Sequence, residues 1–219
     1  MRYPSKLGNG TLAVIVALAV LIIDQIVKIW VKTHFYLGES FEILPFFELR
    51  FVQNNGMAFG MEFGSKLLLT LFRIVVVALL CWYLVRLTRS DRPTSRGYVV
   101  TLSLIAAGAL GNIIDCVFYG VIFNNPMPPE VADFVGWSAG YSSLLHGYVV
   151  DMLYFPLFSF TWPAWVPVVG GGEFSFFDPV FNIADSAITV GVLMLIFFYS
   201  KYLPLGGDKQ SEEKTAKEN

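Results

Sequence analysis

The chain has 219 residues, 55% hydrophobic and 15% charged, with a mean hydropathy of +0.61, a balance that argues against a soluble domain and for one membrane-embedded domain. A net charge of -2 and a pI near 5.7 give no reason to expect nucleic acid. The two cysteines, Cys81 in VVALLCWYL and Cys116 in GNIIDCVF, lie far apart in apolar runs without metal-ligand spacing. They read as buried thiols, and neither a metal nor a cofactor is expected.

Crossing the hydrocarbon as a helix takes about 17 to 25 mostly apolar residues, and four stretches qualify, near residues 12 to 31, 66 to 87, 98 to 118 and 178 to 202. The first is long, contains Asp24 and Lys28, and lacks a small-residue cleavage site, so it reads as a retained span rather than a secretory signal. Residues 33 to 65 follow on the outer side, where β-favouring FEILPFFELRFVQ predicts a small sheet lying on the membrane. A second outer segment, 119 to 177, ends in the Pro-, Gly- and aromatic-rich run PLFSFTWPAWVPVVGGGEFSFF, which suits a loop pressed against the headgroups. Residues 204 to 219 read as a disordered cytoplasmic tail. Basic residues set the orientation: Arg2, Lys6, Arg86, Arg89, Arg92, Arg96, Lys201, Lys209, Lys214 and Lys217 all fall at or beyond the same span ends, whereas Arg50 alone lies in the two outer segments. Both termini are therefore expected in the cytoplasm.

An ionisable side chain within a span costs roughly 2.5 to 3.5 kcal/mol on insertion scales, so Asp24, Asp115 and Asp185 each require a reason. With this orientation all three fall toward the outer side, Asp24 and Asp185 each roughly 10 Å from a span end. Asp24 with Lys28 one turn later suits an ion pair, and Asp115 suits structural anchoring. Asp185 has no basic residue within a turn and shares a helix face with Asn182 and Thr189, which marks it as functional. Gly108, Asn112 and Asp115 share a face of the third span, where Gly108 and Gly111 let a helix or a substrate come close. Asp151, in HGYVVDMLYF, lies in a loop and is not singled out by spacing. His146, five residues before it, reads as a solvated loop histidine, and His34, Glu62 and Arg73 carry no motif. Intramembrane carboxyls also mark proton-coupled transporters, but here the inner half of each span lacks a polar relay. An assembly protein with purely structural acids is the remaining alternative.

Ordered motifs decide among these readings. Asp24 and Lys28 in LIIDQIVKIW come first, then Asn54, Gly56, Ala58 and Phe59 in QNNGMAFG, and Gly108, Gly111, Asn112 and Asp115 in GALGNIID. Val149 with Asp151, and Phe181, Asn182, Ala184, Asp185 and Ser186 in FNIADS, complete the series. Together they resemble lipoprotein signal peptidase, the bacterial signal peptidase II, over nearly the whole hydrophobic chain. The resemblance implies an all-α polytopic membrane protein with four transmembrane helices and a small extracytoplasmic β-sheet cradle, one peptidase domain over residues 1 to 203. It implies that Asp151 and Asp185 are catalytic, with Asp24, Lys28, Asn54, Gly56, Gly108, Asn112, Asp115, Asn182 and Ala184 binding substrate or supporting the site. The implied activity is cleavage of a diacylglyceryl-modified prolipoprotein before its lipidated cysteine, by a monomer in the bacterial inner membrane in contact with membrane lipids. Two features depart from the family: Cys116 stands where an Arg commonly follows the aspartate, and Tyr119 to His146 reads as an inserted outer loop, expected to form a lid or rim.

Overall fold

The computed structural model describes residues 7–55, 65–90, 93–137, 139–176 and 178–202. Gly56, Ala58, Phe59, Glu62 and the proposed tail at 204 to 219 lie outside them. Helix α1 (Asn9–His34) has 26 residues and α2 (Lys66–Arg89) has 24. Helix α3 (Arg96–Ile114) continues through a π-helical turn (Asp115–Tyr119) into the short α4 (Gly120–Ile122), 27 residues in all. At 1.5 Å per residue each of the three is about 36 Å or longer, and all are apolar enough to cross a membrane.

The fourth helix, α5 (Ile183–Phe198), has 16 residues, fewer than the span expected over 178 to 202. Its start is set by chemistry: the Asn182 side chain accepts from the Asp185 N–H while the Asp185 carboxylate accepts from the Asn182 N–H, a capping box. Phe181, one residue earlier, is already bridged to Leu153, and a 3₁₀ turn (Ser200–Tyr202) follows the helix. Asp185 therefore sits in the first turn of α5 rather than about 10 Å along it. Thr189, expected on the same functional face, is exposed.

Helix α1 is largely apolar outward and polar inward, the reverse of a helix in water. On α1, Leu18, Ile22 and Ile26 are exposed while Asp24, Lys28 and Lys32 are buried. Helix α3 is the hub, packed against α1, α2 and α5. A Cβ on Gly108 would meet the Ala184 carbonyl oxygen at 2.3 Å, and one on Gly111 would meet Asp24 Oδ2 at 2.8 Å. What these glycines admit is the first turn of α5 and the Asp24 carboxyl.

Strands β1 (Ser40–Leu44), β2 (Phe47–Asn54) and β3 (Val149–Tyr154) form one antiparallel sheet in the order β1-β2-β3. The stretch around Asp151 is thus a strand and not a loop. Val149 and Val150 favour extended backbone, and every residue from Val149 to Met152 is buried. Val150 and Met152 join Val31, Phe35, Phe51, Tyr119 and Phe123 in one core cluster that seats the sheet on α1 and the end of α3.

The segment Tyr119 to His146 is folded back onto this core instead of forming a free loop. Its chain donates to the end of the third span, Leu145 N–H to the Val117 carbonyl at 3.2 Å and Ser142 N–H to that of Gly120 at 2.8 Å. Isolated bridges pair Tyr36 with Val131 and Phe123 with Phe134. The aromatic run after β3 is also more regular than the expected loop, forming a two-stranded sheet of β4 (Phe158–Thr161) and β5 (Glu173–Phe176).

Candidate active site

Two polar layers meet where α1, α3, β3 and the start of α5 converge. In the first, Lys28 Nζ lies 3.0 Å from Asp24 Oδ2 and 2.8 Å from Asp115 Oδ2, all three side chains fully buried. Its remaining bond goes to Asn112 Oδ1 at 2.8 Å, so an ammonium with three donors has three acceptors. Such a group survives in a low-dielectric interior only when its charges are paired and its remaining hydrogen-bonding capacity is filled. Gln25 Nε2 adds a bond to Asp115 Oδ1 at 3.0 Å and one to Asp24 Oδ2 at 3.1 Å, while its Oε1 accepts from the Tyr119 hydroxyl at 3.1 Å.

These acids also fasten backbone. Asp24 Oδ1 accepts from the Ala184 N–H at 2.9 Å, satisfying a free donor at the start of α5 where negative charge suits the helix dipole. Asp115 Oδ2 accepts from the Val150 N–H at 3.2 Å, fixing β3 one residue before Asp151. Gly147 turns the chain into that strand, and a Cβ there would lie 2.2 Å from the Asp115 carbonyl oxygen.

The second layer holds Asp151 and Asp185. The Leu153–Phe181 bridge brings the strand end against the cap of α5, so one asparagine serves both acids. Asn182 Nδ2 donates to Asp151 Oδ1 at 2.7 Å, and Asn182 Oδ1 accepts from the Asp185 N–H at 2.8 Å. Asn112 Nδ2 donates to Asp185 Oδ1 at 2.8 Å, with its Oδ1 held by Lys28 and by Asn182 Nδ2. Because Lys28 can only donate, the Asn112 amide has one permitted orientation. Asn54, at the end of β2, donates to Asp151 Oδ2 at 3.1 Å. Asp151 is 1% exposed and Asp185 is partly open. Burial first, and then the Asp185 carboxyl, push Asp151 up to about 7, against the pull of its bonds to Asn54 and Asn182 and the charge of Lys28. Asp151 can thus keep its proton near neutral pH beside a second carboxyl, an arrangement in which one group can act as acid and the other as base.

Asp24, Lys28, Asn54, Gly108, Asn112, Asp115, Asp151, Asn182, Ala184 and Asp185 all belong to this assembly. Gln25, Tyr119 and Gly147 do as well, although no motif marked them; a Gln inside a span beside Asp24 was the one available signal. His146 Nδ1 is engaged in a local turn with Ser143 Oγ at 3.0 Å. Arg73 of α2 lies beside the Cys116 thiol, so a guanidinium reaches this position from a different helix. Among the described residues no group of His, Cys, Asp and Glu could hold a metal.

The model of the signal peptidase (SPase) II family matches residues 16–201. A lipoprotein signal peptidase of Porphyromonas gingivalis is 44% identical over 217 residues, covering 98% of this chain and 95% of that one. One from Amoebophilus asiaticus is 37% identical over 83% of this chain and 74% of its own. A bacterial membrane enzyme structure obtained by the in meso method at 1.9 Å superposes with a TM-score of 0.55 at 29% identity, over 84% of this chain and 89% of that one. A second, at 2.3 Å, gives 0.57 at 27% identity over 90% and 92%.

Proposed function

The chain belongs to the signal peptidase II family, and from that premise we propose that Asp151 and Asp185 are the catalytic pair with which it removes signal peptides from prolipoproteins. It is a multi-pass membrane protease. The observation that carries the assignment is the shared Asn182, whose Nδ2 donates to the Asp151 carboxyl of the strand and whose backbone N–H donates to the Asp185 carboxyl at the helix start. In the reaction the ionised carboxyl takes a proton from water as its oxygen attacks the scissile carbonyl carbon, and the protonated carboxyl gives its proton to the carbonyl oxygen. On collapse the C–N bond breaks and the proton taken from water passes to the leaving amine. Asp151, the deeper group, holds the proton at the outset, and Asp185, the more open one, meets the water. Asn54, Asn112 and Asn182 keep the two carboxyls in register.

The substrate we assign is a prolipoprotein whose cysteine carries a diacylglyceryl group, cut just before that cysteine. The enzyme resides in the bacterial inner membrane with both termini cytoplasmic and the site at the outer leaflet, in keeping with the one-sided basic residues. Acyl chains bury about 0.8 kcal/mol per CH₂ in the bilayer and hold the scissile bond at that depth while the peptide enters between helices. Purified protein is expected to cleave the lipidated precursor at least about tenfold faster than the unlipidated one. Equal rates would remove the lipid from recognition.

A pH profile tests the proton assignment. The acid form of Asp151 is needed at the outset and its affinity is raised to about 7, so kcat/KM is expected to fall as pH rises through that value. A rate unchanged from pH 6 to 9, with the protein intact, would count against Asp151 as the acid.

A further inference from the structure

Between the two aspartates lies a hairpin that the chemistry above does not use. Register pairs Phe158 with Phe176 and Phe160 with Phe174, alternating with Ser159 opposite Ser175 and Thr161 opposite Glu173. Side chains alternate across a strand, so the four phenylalanines share one face. The rings touch one another, with centroids 4.8 Å apart for Phe158–Phe176 and 5.1 Å for Phe160–Phe174, yet all four remain exposed. The tip is more exposed still: Trp165 at 81% and Val168 at 105%. A two-stranded hairpin is marginal in water by itself, and an apolar face of this kind marks a contact surface.

We propose that this hairpin lies in the outer leaflet of the bilayer, its phenylalanine face and Trp165 tip among the lipids, as a non-helical anchor set between Asp151 and Asp185. Three observations favour phospholipid as the occupant. Glu173 is the one ionisable residue from Phe155 to Phe177, which leaves little for a charged partner to recognise. The hairpin is rooted at the Leu153–Phe181 bridge, one residue before the cap of α5, a helix whose own surface is apolar, with Val190 and Leu193 exposed. The tip also satisfies much of its own backbone: Trp162 N–H to Gly172 O, Gly171 N–H to Trp162 O and Gly170 N–H to Val166 O, each at 2.9 Å, while Pro163 and Pro167 bring no N–H at all. That is the condition for irregular backbone to sit where water is scarce, and tryptophan at such a tip prefers the headgroup layer.

The proposal rests on the membrane location and not on the catalytic assignment, and its test reads depth rather than turnover. A full-length chain with Trp30, Trp82, Trp137 and Trp162 changed to Phe keeps Trp165 as its one indole. In phosphatidylcholine vesicles brominated at carbons 6 and 7 of the acyl chain, its emission is expected to drop by about half relative to unbrominated vesicles, because an interfacial element sits roughly 5–10 Å deep. Aqueous iodide is expected to have little effect. Should the multiple variant fold poorly, Trp165→Phe in the otherwise natural chain answers by difference, the natural protein losing more emission to bromine than the variant. Iodide quenching without bromine quenching places the tip in water and overturns the proposal. Shielding from both quenchers means that protein, such as a second copy, covers the face, and overturns it equally.

Discussion

Changing Asp151 or Asp185 to Asn is expected to lower kcat for prolipoprotein cleavage by about 10³-fold or more, and the double variant is expected to be little worse than either single one. The two acids work as a unit, so removing one already removes both proton transfers. The folded state is expected to tolerate both changes. An asparagine at 185 still offers an oxygen to the Asn182 N–H and so keeps the capping box. Both changes carry a cost: Asn182 and Asn54 both donate to the Asp151 carboxyl, Asn112 and the Asn182 N–H both donate to that of Asp185, and an amide has one oxygen to offer each pair. A modest loss of stability in each, smaller at the more open Asp185, with activity gone in both, is the expected pattern. Cleavage at the natural rate by both variants would end the assignment, whatever the family.

The asymmetry between the two residues was visible in the sequence in a different form. Asp185 stood out because a carboxyl in an apolar run needs a reason, and Asn182 three residues before it carries half of a helix cap. Asp151 had no local signal, because what makes it special is nonlocal: the β2–β3 pairing, the Asp115 bond to Val150 N–H and the Leu153–Phe181 bridge. Spacing along one chain segment cannot report three long-range contacts; only the ordered motifs of the family resemblance reached it. The third span's end was legible as apolar and helical, but not the π turn, which depends on carbonyls of Cys116 and Val117 accepting from the returning segment. The length of α5 is not legible in the sequence for a related reason. Hydropathy registers apolar residues before Asn182, whereas the helix begins where its first N–H groups find oxygen partners. The alternation of phenylalanine with polar residues in 158 to 161 was present in the sequence, but Pro163, Pro167 and the glycine run drew the reading toward a loop.

Changing Lys28 to Met tests the layer beneath the pair, and the expected cost is about 3–5 kcal/mol of stability, the usual penalty for stranding buried charge by removing its partner. Lys28 Nζ is the shared cation of Asp24 and Asp115. Methionine fills similar space, so a loss of that size measures charge and not a cavity. Lys28→Met combined with Asp24→Asn and Asp115→Asn is expected to recover much of it, because asparagine oxygens still accept from Ala184 N–H and Val150 N–H. Activity should not return with the stability. Without an ammonium on its oxygen, Asn112 keeps only the Asn182 Nδ2 bond to fix its orientation, and its Nδ2 is held less firmly toward Asp185. Thermal unfolding in detergent with parallel cleavage assays separates the two effects. A single Lys28→Met variant as stable as the natural chain would show that the two buried acids need no cation, and the support proposed for the catalytic layer would fall with it.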